Sequence, residues 1–150
     1  MSNLSPEFNR KIISTIISHF HEGIRLNNIT PYIEGELREQ MTEWMEIRVA
    51  DFRSRQIDSD QWVHRIPVNI LCSTPSGQDL VNNHDIYRVE DLIGIAQSLF
   101  TGIHIEEIGC MSLDSGIDLR VFRPRQSEAD LNLKQASVTG VYLLRSSRTQ

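Results

Sequence analysis

Cysteine is scarce in this chain of 150 residues, and its two cysteines are far apart in the sequence. Cys72 lies inside an apolar run and Cys110 lies beside one. Two such residues are more typical of small buried side chains in a reducing compartment than of a disulfide. The scarcity therefore excludes a scaffold stapled by several disulfides, and we expect both cysteines to be packing residues.

Long apolar runs are absent as well. No stretch reaches the roughly 18 consecutive apolar residues that a membrane-spanning helix needs, and the first residues lack the basic flank and apolar core of a secretion signal. A hydrophobic content of 39% over this length fits one domain. We expect a single domain over residues 1–150, with a short polar tail at 146–150 and no membrane contact.

The sequence also lacks the motifs of metal and catalytic sites. It contains no CxxC, HxxxH or HExxH spacing. His19 and His21 are two residues apart on a predicted helix, so they do not share a face. Glu106, Glu107 and Asp114 are better explained by turns between strands than by acid–base chemistry. We therefore predict no catalytic residue, no metal ligand and no cofactor, and a protein that is not an enzyme.

Basic residues are outnumbered, with 15 lysines and arginines against 20 acidic residues and a net charge of −5. Sequence-independent binding of nucleic acid needs a net basic footprint, so the balance argues against it. The arginines are better explained as partners for acidic groups on a neighbouring subunit, since identical subunits that meet head to tail present complementary patches. The candidate charged residues are Arg53, Arg55, Asp58, Asp60, Arg145 and Arg148.

Two amphipathic helices are predicted from apolar residues spaced three and four apart. The first opens at Ser5-Pro6-Glu7 and runs to about Glu22, with Gly23 as its stop. The second covers residues 85–100, where Gly94 indicates close packing on a sheet. Residues 25–42 between the first helix and the strands are predicted to form a connector.

Two β-rich runs, residues 44–52 and 62–73, alternate apolar and polar side chains and are the most informative part of the chain. A charged arm at residues 53–61 separates them and is too long for a tight turn. Pro67 cannot donate to a ladder, so it places its segment at an edge or at a bulge.

Strands are predicted again after the second helix. They lie at residues 103–105, at 117–121, and at 131–145, where Gly140 indicates a bulge or bend. The predicted fold class is α+β: a two-layer sandwich in which a mostly antiparallel sheet of four to five strands carries two helices on one face.

Residue parity on the first run distinguishes its two faces. Met45 and Ile47 share one face, while Trp44, Glu46 and Arg48 share the other. Because interfaces are enriched in tryptophan and arginine, the second set is predicted to contact a partner, with Trp44 as its anchor.

The order of these elements resembles a known family. The segment Glu43-Trp44-Met45-Glu46-Ile47-Arg48-Val49, the charged arm, and then Trp62-Val63-His64-Arg65-Ile66-Pro67-Val68-Asn69-Ile70-Leu71 follow one another between two helices. This arrangement resembles the tail-terminator and neck-type (head–tail joining) proteins of long-tailed bacteriophages. The resemblance covers most of the chain as an order of elements, and about two dozen residues as a local pattern.

The resemblance implies a virion structural protein that is made in the host cytoplasm and forms a ring, usually a hexamer. Such a ring docks on the last ring of the tail-tube protein, ends its polymerisation and presents its opposite face to the head–tail connector. DNA would pass through the acidic lumen without specific binding. On this basis Trp44, Glu46, Arg48 and residues 53–60 would serve ring or tube contacts, and Arg145 and Arg148 the other face.

Three alternatives stay open at this point. The first is a neck adaptor or another phage assembly protein. The second is a small-ligand-binding domain or enzyme, which would place a cleft lined by convergent polar groups near His64 or Cys72. The third is a general protein-interaction module of a cellular machine, which shares the same physical features.

Overall fold

The computed structural model describes residues 6–36, 43–75, 84–114, 119–123 and 133–147. Two helices and eight strands lie in these ranges. In chain order they are α1 (Pro6–Leu26), β1 (Thr30–Ile33), β2 (Trp44–Val49), β3 (Arg53–Asp58), β4 (Gln61–Pro75), α2 (His84–Leu99), β5 (Ile103–Ile105), β6 (Gly109–Leu113), β7 (Arg120–Phe122) and β8 (Leu133–Ser147).

Helix α1 forms where the apolar spacing predicts it, but it extends further. It buries one stripe of side chains, namely Phe8, Ile12, Ile16, Phe20 and Ile24. The predicted stop at Gly23 is wrong, because the helix continues to Leu26. Asn28, two residues beyond the helix, has a φ of 60°. Gly23 instead gives close contact with α2, since an added Cβ would lie 2.6 Å from Leu99 Cδ2.

A long antiparallel ladder between β4 and β8 forms the centre of the sheet. The two strands pair without a register shift from Gln61 opposite Ser147 to Pro75 opposite Leu133. Side chains alternate between an inner face, which packs against the helices, and an outer face. His64, Ile66, Val68 and other inner residues of β4 are completely buried, whereas their neighbours on the outer face stay partly exposed.

Shorter strands flank each side of this ladder. β2 and β3 both pair with β4, one after the other along the same edge, and β6 and β7 pair in the same way with β8. β1 adds to β2 in parallel, and β5 adds to β6 antiparallel. The sheet therefore has the order β1-β2-β4-β8-β6-β5, with β3 and β7 off this path.

The predicted fold class is wrong in the size and type of the sheet. Among the described residues the structure is mostly β, with 50% strand and 30% helix, and their sheet is curled, mixed and eight-stranded. β1 was missed because Thr30-Pro31 looked like a turn, and β6 because Gly109-Cys110 carries no alternating signal. The charged arm was expected to leave the sheet, yet most of it forms β3.

Pro67 lies where the ladder can accommodate it. The Pro67 carbonyl accepts a hydrogen bond of 2.9 Å from the Ala50 N–H, in the break between β2 and β3. A residue's N–H and C=O point to the same side of a strand, so the donor that proline lacks would face this break. The predicted edge or bulge at Pro67 is wrong for β4, which is central and pairs with β8 without a register shift; the break lies in the partner strands instead.

One hydrophobic core joins both helices to the inner face of the sheet. At its centre the rings of Phe100 and Tyr142 stack with centroids 6.2 Å apart, and Phe20 meets Phe100 edge-on at 4.9 Å. The Tyr142 hydroxyl donates to the Thr101 carbonyl at 2.7 Å, which satisfies the polar end of a buried side chain. Among the residues described, no helix is long and apolar enough to cross a membrane.

Gly140 makes room for this aromatic cluster. The bulge predicted there is wrong, because the register runs unbroken through Gly140 opposite Val68. A Cβ at Gly140 would lie 2.8 Å from Phe100 Cδ1 and 2.7 Å from Leu119 Cδ2. Gly94, which was predicted to pack closely, has open space around it instead.

These two glycines give a matched pair of stability predictions. Gly140→Ala should lower the free energy of unfolding by about 1–3 kcal/mol, because the Phe100 ring must move out of the added methyl group's way. Gly94→Ala should raise it by about 0.5–1 kcal/mol through helix propensity. Denaturant unfolding followed by circular dichroism measures both. Equal effects of the same sign would contradict the packing described here.

Candidate assembly surface

The predicted arm is a β-hairpin at the end of the sheet, made by β3 and the first residues of β4. Asp58 pairs with Gln61 around the two-residue turn Ser59-Asp60, and a register irregularity at Ile57 precedes it. Every residue from Arg55 to Gln61 is exposed. We call Asp58 and Asp60 the acidic tip.

A buried histidine fixes this hairpin to the sheet. The ring of His64 on β4 contacts the Ser54 hydroxyl through Nδ1 at 2.7 Å, and the Ser146 hydroxyl through Nε2 at 2.6 Å. Its ring also lies 5.1 Å from the ring of Phe8 on α1. His64 is completely buried and so connects β3, β4, β8 and α1 at one point. The expected polar tail at 146–150 is wrong at its start, since Ser146 and Ser147 belong to β8.

Arginines gather on the outer face beside this anchor. Val63 is flanked in register by Arg55 on β3 and Arg145 on β8. Two residues further along β4, Arg65 is flanked by Arg53 and Leu143. Cross-strand partners share a face, so these residues form two adjacent rows. We call them the arginine rows; their members are Arg55, Val63 and Arg145 in one, and Arg53, Arg65 and Leu143 in the other.

The arginine rows carry unneutralised positive charge. Arg65 forms an ion pair of 3.0 Å with Asp114. Within the described ranges, Arg53, Arg55 and Arg145 are exposed and make no ion pair. Arginines directly opposite one another, such as Arg53 and Arg65, repel and are unfavourable in an isolated sheet. A cluster of this kind in a chain of net charge −5 indicates a surface that binds negative charge.

Sequence reasoning found only part of these rows. It separated Arg145 from Arg53 and Arg55 and assigned them to different neighbours, but register places them on one surface. Arg65 was not predicted as part of this surface. It follows His64 on the same strand, so its side chain lies on the opposite face, and this alternation could have identified it. Ser54 and Ser146 carried no signal, because only the long-range pairing of β3, β4 and β8 brings them to His64. Arg148 lies outside the described residues.

Trp44 is buried, so the predicted exposure of its side chain is wrong. It is only 3% exposed, and its ring meets the ring of Tyr32 edge-on at 6.3 Å. Tyr32 lies on β1, which pairs with β2 and was not predicted as a strand. Glu46 is completely buried as well and forms an ion pair with Arg48, whose side chain stays 40% exposed.

Arg48 lies at the edge of a shallow concavity on the outer face. The concavity holds about 280 Å³ and lies between β2, β4 and β8. Asn69 Nδ2 donates to Thr139 Oγ1 at 2.6 Å across its floor. Of the three residues predicted on this strand face, Arg48 is therefore the one that a partner can reach.

A second concavity lies between α1 and β5. It is an open groove of about 590 Å³ lined by hydroxyl and imidazole side chains, among them Ser14, Ser18, His19 and His104. The ring of His19 contacts the Leu99 carbonyl through Nε2 at 2.9 Å. No group of three or more metal-ligating side chains forms among the described residues.

Three buried groups with shifted pKa values, Cys72, Tyr142 and His64, line neither of these two concavities. Burial raises the pKa of the Cys72 thiol to about 12, raises the pKa of Tyr142, and lowers the pKa of His64. All three lie on the inner face of the sheet. Cys72 is buried as predicted, whereas Cys110 is exposed, with Sγ 3.4 Å from His104 Nδ1. The predicted packing role of Cys110 is therefore wrong.

Comparisons with known proteins bear on the fold alone. No family model matches the chain, and no curated protein matches it. Fourteen chains of solved structures do match. One of them, which carries no functional name, aligns with a TM-score of 0.57 and 10% identity, over 95% of this chain and 96% of that chain. At this identity the likeness shows a shared fold across the whole chain.

The buried histidine predicts a pH dependence of stability. Because burial lowers the pKa of His64 below 6.5, the unfolded chain takes up a proton near pH 6.5 that the folded chain takes up only at lower pH. The His64 contribution to stability is therefore complete above pH 6.5 and is lost as the pH falls below it, with a slope of at most about 1.4 kcal/mol per pH unit.

His64→Gln should remove this slope, and His104→Gln, at an exposed position, should keep it. Denaturant unfolding at a series of pH values between about 7.5 and 5.5 measures the free energy of unfolding for each variant. An unchanged slope in His64→Gln would contradict the role of the buried ring.

Proposed function

We propose that this protein is a structural component of a long-tailed bacteriophage that forms a ring, with six subunits as the expected number. The ring caps the tail tube, ends its polymerisation and joins it to the head connector. The observation that carries the proposal is the hairpin of exposed, charged residues that continues into the arginine rows on the outer face of the sheet. This surface is suited to binding another protein rather than to enclosing a reactant.

Charge and anchoring support this proposal. The hairpin presents both charge signs, which suits contact between identical subunits better than contact with a polyanion. Ser54, His64 and Ser146 hold its base in a fixed position. A rigid, preorganised hairpin loses little conformational entropy when it binds, so it is a favourable element for repeated contacts.

Capping needs no chemistry. One surface of the ring must match the exposed end of the tube, and the opposite surface must lack the features that recruit another tube subunit. Edge strands make such contacts by main-chain hydrogen bonding, and within the described ranges β3 pairs with β4 alone, so its other edge carries no ladder there. The charged residues along β3 would prevent indiscriminate pairing of this edge.

The nearest alternative is a neck adaptor that contacts the connector and not the tube. The same surface serves either role, so the partner decides between them. The genes beside the one that encodes this chain offer a direct source of partners, since a phage structural protein is expected among genes for other particle components.

The test adds the purified protein to the tail-tube protein encoded in the same gene neighbourhood while tubes polymerise. Electron microscopy should show shorter tubes of narrower length distribution, each with additional density at one end. Unchanged tube lengths and bare ends would contradict the terminator role. Binding to the purified connector without any effect on tubes would establish the adaptor instead.

Reversal of the hairpin's basic charge gives a second prediction. Arg53→Glu combined with Arg55→Glu should leave the chain folded, because both side chains are exposed and make no ion pair with described residues. The double variant should lose end density and give longer tubes. Arg10→Glu on α1 is a control that reverses the charge of an exposed arginine outside the hairpin and the arginine rows. Normal capping by the double variant, with a normal circular dichroism spectrum, would contradict a role for the hairpin.

A further inference from the structure

Two clusters of opposite charge lie next to each other on the hairpin surface. The arginine rows cross β3, β4 and β8, and the acidic tip follows them at the end of the same hairpin. Asp58 pairs with Gln61, which has the parity of Val63 and Arg65, so Asp58 and the rows share the outer face, and Asp60 follows in the turn. The surface is thus bipolar along the direction of the strands.

We infer that the acidic tip of one subunit docks on the arginine rows of the next copy of the chain. This contact deepens the proposed ring and rests on it. It joins two different patches of the same protein, so it is a head-to-tail contact that closes into a ring when the rotation between subunits allows it.

The charges on both sides are available for such a contact. The Asp58 carboxylate accepts hydrogen bonds of 2.6 and 3.4 Å from the main chain and hydroxyl of Ser59, both local to the turn. No ion pair joins Asp58 or Asp60 to an arginine among the described residues, although Arg55 lies on the same strand. The complementary charges are therefore left for another subunit.

Apolar side chains accompany the charges on both patches. Ile57 beside the acidic tip is 47% exposed. Val63 and Leu143 in the arginine rows are partly exposed. Docking of the tip would cover Ile57 with these two side chains inside a rim of ion pairs. An apolar centre with a charged rim is the usual anatomy of a protein interface.

A second copy fits this surface better than nucleic acid does. The acidic tip would repel a polyanion next to the arginine rows, and the chain carries a net charge of −5. Nucleic acid binding is nevertheless a definite outcome of the test, because arginines of this kind also contact phosphates.

The experiment measures self-association of the full chain by sedimentation at low ionic strength and high protein concentration, without any tube protein. The unmodified chain should form closed oligomers that dissociate as salt is added, since exposed charges are screened within about 10 Å at about 0.1 M salt. Asp58→Lys with Asp60→Lys, a tip variant, should weaken association about tenfold or more. Arg55→Glu with Arg145→Glu, a row variant, should do the same.

Mixing the two variants gives the sharpest outcome. In the mixture, the unchanged acidic tip of the row variant meets the unchanged arginine rows of the tip variant, and the new lysines of the tip variant meet the new glutamates of the row variant. Each variant alone should be monomeric, and the mixture should form closed oligomers that contain both variants in equal numbers. The quadruple variant with both patches reversed should regain closed oligomers.

Glu106→Lys with Glu107→Lys, in the turn between β5 and β6, is the control with the same change of net charge as the tip variant. This control should associate as the unmodified chain does. The inference is overturned by equal weakening in the control, by a mixture that stays monomeric, or by an unmodified chain that stays monomeric under these conditions. Binding of duplex DNA by the unmodified chain that the row variant loses would also overturn it.

The outcomes separate this inference from the proposed function. Oligomers that ignore the charge variants, together with capped tubes, would remove the inference and leave the proposed function. Oligomers that follow the charge variants but never bind a tube or connector would leave the inference and remove the proposed function.

Discussion

The fifteen-residue ladder between β4 and β8 is the constraint on which the rest of the structure depends. It pairs Gln61–Pro75 with Leu133–Ser147 over their whole length, so its register fixes every side chain on both faces. The inner face receives the two helices, and the outer face carries the arginine rows. A shift by one residue would place His64 outside and the arginines in the core.

This ladder also holds the base of the hairpin in place. The strands that flank β4 are interrupted between Val49 and Arg53, where Pro67 can donate nothing. β3 restarts beyond that break and runs along the far end of β4. His64 holds it there through two short hydrogen bonds to serines on the neighbouring strands. The hairpin is thus rigid at its base and exposed at its tip.

Local signals predicted the elements whose pattern is strong. Helix α1, helix α2 and the alternation in β4 follow from apolar spacing, and their predictions are confirmed apart from their ends. β1 and β6 were not predicted, because their strand character comes from pairing with neighbours rather than from their own residues. The predicted exposure of Trp44 was wrong as well, because its ring packs against Tyr32 on the strand that was not predicted.

The sequence predicted which residues belong to the candidate surface, but not that they lie together. Arg53, Arg55, Asp58, Asp60 and Arg145 were all identified from charge and predicted exposure. Their assembly into adjacent patches depends on pairings between residues about eighty positions apart, which no local pattern contains. The buried contact between His64 and Ser146 depends on the same pairing.

The most direct test compares amide hydrogen exchange between the free chain and its assembled form. It shows whether partners contact the hairpin side of the sheet. The account predicts that assembly slows exchange at residues 53–61 and 141–147 and leaves α1 and α2 unchanged. Protection confined to the helices, with the hairpin exchanging as fast as before, would contradict it.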